Sequence, residues 1–162
     1  MQIKLIITGG TIDKSYNMRD GMLHFVDSHV PGMLTEGRCR ADIELEKLIL
    51  KDSLEMSEAD RQRVLDACRD AQQDRVIVTH GTDTMVETAL RLAASIDDKT
   101  IVLTGAMVPY VFDKSDALFN LGSAFGAVQC LPAGVYVTMN GRVFYADDVV
   151  KNVQAGVFET RE

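Results

Sequence analysis

Short runs of aliphatic residues alternate along the chain with longer segments in which apolar residues recur every three or four positions. Most of the short runs are almost continuously apolar, which is typical of parallel strands that are covered on both faces. We therefore predict strands at residues 3–7, 43–50, 76–78, 101–103 and 135–137.

The segments that follow several of these runs carry helical patterns. Ser57 and Asp60 have the spacing of a capping box, and Val64 then lies on the apolar face of the helix that the box would open. Similar apolar faces predict two further helices, over residues 83–95 and 115–129.

Strands that alternate with helices indicate a parallel sheet joined by right-handed crossovers. We predict a single α/β domain over residues 1–162, with a doubly wound, mostly parallel sheet sandwiched by helices, of the Rossmann or flavodoxin-like kind. Residues 13–42 do not fit this alternation, because they are rich in glycine, aspartate, methionine and histidine. So long an excursion is usually a functional loop, a hairpin or a disordered segment, and we treat it as one insertion after the first strand.

Composition narrows the classes of protein. The chain has 162 residues, of which 46% are hydrophobic and 25% charged, as in ordinary globular proteins. Seventeen basic residues against 24 acidic ones give a net charge of −7, which disfavours nucleic acid or an anionic membrane as a partner. The N-terminal residues do not resemble a signal peptide and no apolar stretch is long enough to span a membrane, so we expect a cytoplasmic protein.

Neither the cysteines nor the histidines have the spacing of a disulfide framework or a metal site. Cys39, Cys68 and Cys130 are odd in number and widely separated, so we expect reduced thiols. His24 and His29 have no carboxylates beside them at metal-ligand spacing. We therefore predict no metal site.

Glycine and small hydroxyl residues follow three of the predicted strands, at residues 8–12 (Thr-Gly-Gly-Thr-Ile), 79–84 (Thr-His-Gly-Thr-Asp-Thr) and 104–109 (Thr-Gly-Ala-Met-Val-Pro). Open α/β sheets bind ligands at the carboxyl ends of their strands, where glycine lets the backbone approach a ligand closely. None of the three segments is a phosphate-binding loop or a dinucleotide-binding fingerprint. A single such loop is also explained as a tight turn with Thr82 or Asp83 as a helix N-cap, but three similar strand exits favour a ligand site.

The segments at 8–12 and 80–84 resemble the two signature segments of the asparaginase family of threonine amidohydrolases. Residues 52–56 (Asp-Ser-Leu-Glu-Met) resemble that family's serine-bearing substrate loop, and residues 105–109 resemble its Gly-Ala-Met-x-Pro turn. The stretch from 139 to 151 is similar to the one that carries the family's catalytic lysine. The resemblance is to the N-terminal catalytic domain, so we expect the family's smaller C-terminal domain to be absent.

The resemblance implies hydrolysis of a side-chain amide, of asparagine or a related small molecule, to the acid and ammonia without a metal or organic cofactor. Thr11 would be the nucleophile, assisted by Tyr16 from the insertion. Thr82, Asp83 and Lys151 would act with the logic of a Ser-His-Asp triad. Lys151 would take or share a proton, Asp83 would orient it, and Thr82 would deliver a hydroxyl or position water.

The same resemblance implies how a substrate is held. Asp83 and Ser53 would bind the amino and carboxylate groups of the substrate, and Gly10 and Gly81 would let backbone amides approach it. Backbone amides at the strand exits would stabilise the oxyanion of the tetrahedral intermediate. Since the family forms dimers of dimers, we expect a homo-oligomer.

The sequence also departs from the family pattern, at Asp13, Leu54 and Val108. Asp13 would place a carboxylate near Thr11, which predicts a specificity shifted away from free asparagine. Two classes of function stay open: an amidohydrolase closed by the insertion or by a neighbouring protomer, and a catalytically weak or silent module that binds an amino acid or amide. Lys151 favours the enzyme, because binding alone does not need that lysine.

Overall fold

The computed structural model describes residues 1–161 of the chain. Within them, ten strands and four α-helices follow one another in this order: β1 (Gln2–Gly9), β2 (Ser15–Asn17), β3 (Met22–His24), α1 (Val30–Glu36), β4 (Asp42–Lys51), α2 (Glu58–Asp70), β5 (Arg75–Thr79), α3 (Met85–Ala93), β6 (Thr100–Thr104), α4 (Ala117–Cys130), β7 (Gly134–Met139), β8 (Arg142–Tyr145), β9 (Val150–Asn152) and β10 (Val157–Glu159). None of the helices formed by residues 1–161 is both long enough and apolar enough to cross a membrane.

Six strands form one sheet in the order β4-β1-β5-β6-β7-β8. The first five of these are parallel, and β8 pairs with β7 in the antiparallel direction. Because the chain passes from β4 over β1 to β5, the strand order reverses between β1 and β5. The carboxyl ends of these two strands therefore flank the point where doubly wound sheets bind their ligands. The predicted fold class is confirmed.

Helices cover the sheet on both faces, with α2 and α3 on one face and α1 and α4 on the other. Strand β1 shows why the sequence is continuously apolar there. Its Ile6 belongs to the core beneath α2 and α3, whereas Leu5 and Ile7 belong to the core beneath α1 and α4. Each such buried aliphatic side chain stabilises the fold by roughly 1.5–3 kcal/mol.

Helix α2 opens with the predicted capping box. The Ser57 hydroxyl accepts the backbone N–H of Asp60 at 3.2 Å, and the Asp60 carboxylate accepts the backbone N–H of Ser57 at 2.9 Å. That carboxylate also accepts a hydrogen bond from Lys51 at 2.8 Å, and mainly through this bond the pKa of Asp60 falls to about 2. The helix is thereby attached to the end of β4, directly before the predicted substrate loop.

The insertion is ordered, and part of it belongs to the core. Strands β2 and β3 form an antiparallel hairpin, and α1 then buries Val30 and Met33 under the sheet. Of the three structures considered for the insertion, a hairpin is the one present at its start. The insertion also contains α1, a helix that the sequence patterns did not predict.

Two helices begin two residues later than predicted. Helix α3 begins at Met85 with Thr84 as its N-cap residue, so neither Thr82 nor Asp83 caps it. Helix α4 begins at Ala117 with Asp116 as its N-cap residue, but the Asp116 carboxylate accepts the backbone N–H of Met107 and makes no capping hydrogen bond. In both cases the polar side chain before the helix makes a tertiary contact. Strands β8, β9 and β10 were not predicted at all.

Candidate active site

Gly10 and Gly81 lie against each other where β1 and β5 end. A Cβ atom added to Gly10 would stand only 2.4 Å from the backbone N and Cα of Gly81, and Gly10 also has a φ of +84°. Both observations require glycine at this position. Since Thr11 and Thr82 directly follow these two glycines, the close approach brings the two predicted catalytic threonines to the same point of the sheet edge.

The end of β4 places Ser53 beneath the Gly81 turn. A Cβ atom added to Gly81 would meet the Ser53 Oγ at 2.5 Å. Ser53 is 1% exposed, and its Oγ accepts the backbone N–H of Thr84 at 3.3 Å while its carbonyl accepts the Thr84 hydroxyl at 2.9 Å. In this structure Ser53 therefore supports the turn from below, and its proposed contact with substrate stays a prediction.

The β9–β10 hairpin carries Lys151 to the same place. Its Nζ lies 2.8 Å from the Thr82 Oγ1 and 2.6 Å from the Asp83 Oδ1. The Lys151 side chain is 14% exposed and that of Asp83 is 43% exposed, so the carboxylate is still accessible to a ligand. The structure thus assembles the three residues that the resemblance groups together, although Lys151 is far from the other two in sequence.

Thr11 lies in a short 3₁₀ turn, Thr11–Asp13, and is partly exposed. Its hydroxyl makes no hydrogen bond with any residue of the described chain, 1–161, and is free to meet a ligand. Tyr16 is 52% exposed in the β2–β3 hairpin, with its ring 6.5 Å from that of Phe112. The structure does not bring the Tyr16 hydroxyl into hydrogen-bond contact with Thr11, so its assisting role stays a prediction.

An ion pair joins the turn after Thr11 to the substrate loop. The Lys14 Nζ lies 2.5 Å from the Asp52 Oδ2, and the other Asp52 oxygen accepts the backbone N–H of Leu54. Burial by itself raises the pKa of Asp52, but these hydrogen bonds outweigh it and hold the pKa below its ordinary value. Asp52 is therefore a stable anion that fixes the start of the loop carrying Ser53.

Asp13 does not present its carboxylate to a ligand. The residue is fully buried, and its Oδ1 accepts the Ser28 hydroxyl and the His29 backbone N–H, both at 2.8 Å. Burial raises the pKa of Asp13, although these two hydrogen bonds oppose the shift. The expectation that Asp13 shifts specificity through a charge near Thr11 therefore loses its basis, because Asp13 instead ties the insertion to the Thr11 turn.

His80 packs behind the glycine turn. It is fully buried, its Nδ1 lies 2.9 Å from the Gly81 carbonyl oxygen, and its Nε2 lies 2.8 Å from the Thr88 hydroxyl. A carbonyl can only accept, so Nδ1 carries the proton and donates it to Gly81. Burial lowers the pKa of His80 to about 4, and the ring is neutral at pH 7.

Two polar residues that support the site were missed as functional candidates. Arg61 reaches Thr84 and Thr88 from helix α2, and Asp116 accepts the backbone N–H groups of Met107 and Val108 in the third strand exit. Arg61 has no signal in the sequence, because it stands among the charged residues of a helix. Asp116 lies within the helix predicted over residues 115–129, where no local pattern indicates that its carboxylate binds another segment.

Among residues 1–161, no group of three or more histidine, cysteine, aspartate or glutamate side chains is arranged to hold a metal ion. The hydrogen-bond donors that follow β1 and β5 are instead the Thr11 and Thr82 hydroxyls, the Lys151 side-chain nitrogen that reaches Thr82, and backbone N–H groups. Such a set can position an amide, stabilise an oxyanion and move a proton, which is the chemistry of acyl transfer.

A family model described as "Asparaginase, N-terminal" matches residues 2–159 of the chain. A glutamyl-tRNA(Gln) amidotransferase component from Methanococcus vannielii is 30% identical over 166 residues, covering 96% of this chain and 37% of that protein. The glutaminase-asparaginase of Acinetobacter glutaminasificans is 40% identical over 96 residues, covering 57% of this chain and 29% of that protein. The matched segments therefore cover well under half the length of these two relatives.

Solved structures are similar over nearly the whole chain. The thermostable L-asparaginase from Thermococcus kodakarensis matches with a TM-score of 0.87 and 27% identity, over 99% of this chain and 51% of the other. A probable cytoplasmic L-asparaginase from Campylobacter jejuni matches with a TM-score of 0.83 and 32% identity, over 98% of this chain and 52% of the other. The chain thus spans about half the length of these two solved structures.

Proposed function

The chain belongs to the asparaginase family, and on that premise we propose that it hydrolyses the side-chain amide of asparagine or a related small molecule to the acid and ammonia. One observation carries the proposal: the Lys151 Nζ lies within hydrogen-bond distance of both Thr82 and Asp83, and Gly81 touches Gly10, which precedes a Thr11 hydroxyl without a partner among residues 1–161. A module that only bound an amino acid would need neither feature.

In the proposed reaction the Thr11 Oγ attacks the amide carbon of the substrate. The C–N bond breaks as the nitrogen gains a proton and leaves as ammonia, and an ester on Thr11 stays behind. Water then cleaves this ester, which releases the acid and restores the hydroxyl. Backbone N–H groups at the ends of β1 and β5 are suited to stabilise the oxyanion of each tetrahedral intermediate.

Thr82, Asp83 and Lys151 would manage the protons. A threonine hydroxyl is a weak nucleophile until a base removes its proton, and only a neutral Lys151 amine can accept one. When Lys151 becomes an ammonium, the neighbouring Asp83 carboxylate stabilises it, as aspartate does for histidine in a Ser-His-Asp triad. Thr82 would lie between this pair and the reacting atoms, where it relays a proton or holds the attacking water.

Substrate recognition would use the remaining groups of the site. The exposed Asp83 carboxylate is suited to an amino group, and the backbone around Gly10 and Gly81, with the Ser53 hydroxyl, to a carboxylate. Tyr16 would assist Thr11 once a ligand occupies the site. We also propose a homo-oligomer and a cytoplasmic location; the three free cysteines are consistent with the latter.

The direct test is ammonia release by the purified protein from asparagine, glutamine and small amide-bearing peptides. The proposal expects release from at least one of these. No release from any of them, while an amino acid or amide still raises the melting temperature, would identify the chain as a binding module instead.

A further inference from the structure

A buried guanidinium lies behind the site, outside the residues that meet the substrate. Arg61 projects from the first turns of α2 and is 7% exposed. Its Nη1 lies 3.1 Å from the Thr84 hydroxyl and 3.2 Å from the Thr88 hydroxyl, both on or next to α3. Its Nη2 pairs with Glu87 at 3.0 Å, and its Nε lies 3.8 Å from Glu58. A buried charge needs such partners, so the guanidinium is held in one orientation.

The Thr84 hydroxyl connects Arg61 to the predicted substrate loop, residues 52–56. Guanidinium N–H groups can only donate, so the Thr84 hydroxyl must accept from Arg61. Its own hydrogen is then available for the Ser53 carbonyl, 2.9 Å away. Arg61 thus determines the direction of this hydrogen bond, and through it holds the loop that ends β4.

The Thr88 hydroxyl connects Arg61, through His80, to the turn at Gly81. Thr88 accepts from Arg61 by the same reasoning, and donates its hydrogen to the His80 Nε2 at 2.8 Å. A neutral ring that accepts at Nε2 carries its proton on Nδ1, which then donates to the Gly81 carbonyl at 2.9 Å. Both series of hydrogen bonds therefore start at one guanidinium, and in each the donor lies on the side of Arg61. Neither threonine hydroxyl can exchange its donor and acceptor roles while that charge is present.

We propose that Arg61 is a positioning residue for the reaction, because it aligns the Ser53 loop and the Gly81 turn from behind. The inference rests on the proposed function, since the two hydrogen-bond chains align the substrate-binding and proton-transfer groups of that function. Lysine cannot replace the arginine, because an ammonium lacks the planar arrangement that serves two hydroxyls and Glu87 together.

The two hydrogen-bond chains that start at Arg61 predict separate kinetic effects. Thr84→Val breaks the chain to the Ser53 loop and raises KM about tenfold with little change in kcat. Thr88→Val breaks the chain to the Gly81 turn and lowers kcat about tenfold with little change in KM. Arg61→Met shows both effects at once and Arg61→Lys recovers only part of the loss. Arg69→Met, which changes an exposed arginine of the same helix, serves as the matched control and leaves both parameters unchanged.

A second measurement does not depend on activity. In hydrogen exchange followed by mass spectrometry, Arg61→Met should speed exchange in peptides covering residues 52–56 and 80–84, but not in peptides from β6 and β7. This faster exchange in Arg61→Met, together with a wild type that releases no ammonia, would leave the alignment standing and overturn the proposed function. An active wild type, with kcat, KM and local exchange of Arg61→Met all within twofold of it, would overturn the positioning role.

Discussion

The Lys151 Nζ lies 2.8 Å from the Thr82 Oγ1, although 69 residues separate the two along the chain. The contact joins the exit of a central parallel strand to a hairpin that follows the main sheet. Nothing in the local sequence of either residue requires the other. The proposed proton transfer depends on this contact.

Replacing this lysine tests that contact. Lys151→Met should keep the fold, because the residue belongs to the two-stranded β9–β10 hairpin outside the main sheet, and should lower kcat by roughly 10²-fold or more, since the proton acceptor is gone. Ammonia release and circular dichroism measure the two effects. Lys47→Met, which removes an exposed lysine paired with Asp27, is the matched control. Equal activity in wild type and Lys151→Met would remove Lys151 from the mechanism.

Stability should fall in mildly acidic solution because of His80. Its pKa is about 4 in the folded chain and close to 6.5 when unfolded, so the unfolded state binds the extra proton first. The contribution is fully present above pH 6.5 and is lost as the pH falls towards 4. Between pH 7 and pH 5 this amounts to on the order of 2 kcal/mol of unfolding free energy.

Urea unfolding of wild type and His80→Gln at the two pH values measures this contribution. The variant should lose markedly less stability than wild type on acidification, whatever its stability at pH 7. The variant His24→Gln, which changes an exposed histidine of the hairpin, should keep the wild-type pH dependence. If the free energy of unfolding of His80→Gln fell as much between pH 7 and pH 5 as that of wild type, His80 would not be the group responsible.

Two alanine variants test the contact between Gly10 and Gly81. Gly10→Ala must displace the Gly81 backbone and also takes on a strained φ, so we expect lost activity and a lowered melting temperature. Gly122→Ala, in α4 with nothing within 4 Å of the added Cβ, should instead stabilise the chain by about 0.5–1 kcal/mol. Thermal unfolding of both variants compares the positions. A Gly10→Ala variant as stable and active as wild type would show that the two loops do not touch.

Much of the fold follows from sequence patterns, and particular residues show where those patterns stop being sufficient. The apolar run of β1 and the capping box of α2 are local signals, and both are present where they were predicted. Strand β8 was missed because a short edge strand has little periodicity. The start of α3 was placed too early because Asp83 is bound to Lys151, a contact between distant parts of the chain that no local pattern records.

The candidate site likewise contains residues that the sequence predicted and residues that it did not. Thr11 and Thr82 could be found because the strand exits in which they stand resemble the two signature segments of the asparaginase family. The burial of Asp13 could not be foreseen, since it depends on how Ser28 and His29 fold back from the insertion. Arg61 escaped notice because its importance comes from its burial and its partners, which depend on how two helices pack.

Self-association is a further prediction of the proposed function. Several large apolar side chains of the β2–β3 hairpin are exposed, among them Met18 at 90% and Met22 at 61%, and such a patch favours contact with another protein surface. Sedimentation velocity at micromolar concentration should show a dimer or tetramer. A monomer alone under these conditions would refute the prediction. Met18→Glu should weaken the assembly if the hairpin lies in the interface.

The proposed chemistry requires above all that Thr11 and Thr82 act together on a side-chain amide. The most direct measurement is ammonia release by wild type, Thr11→Ala and Thr82→Ala, with ligand-induced melting shifts recorded alongside. We predict that both variants lose the activity while a ligand still raises their melting temperatures. Ammonia release at the wild-type rate by Thr11→Ala would contradict the proposal, because the nucleophile would then be dispensable.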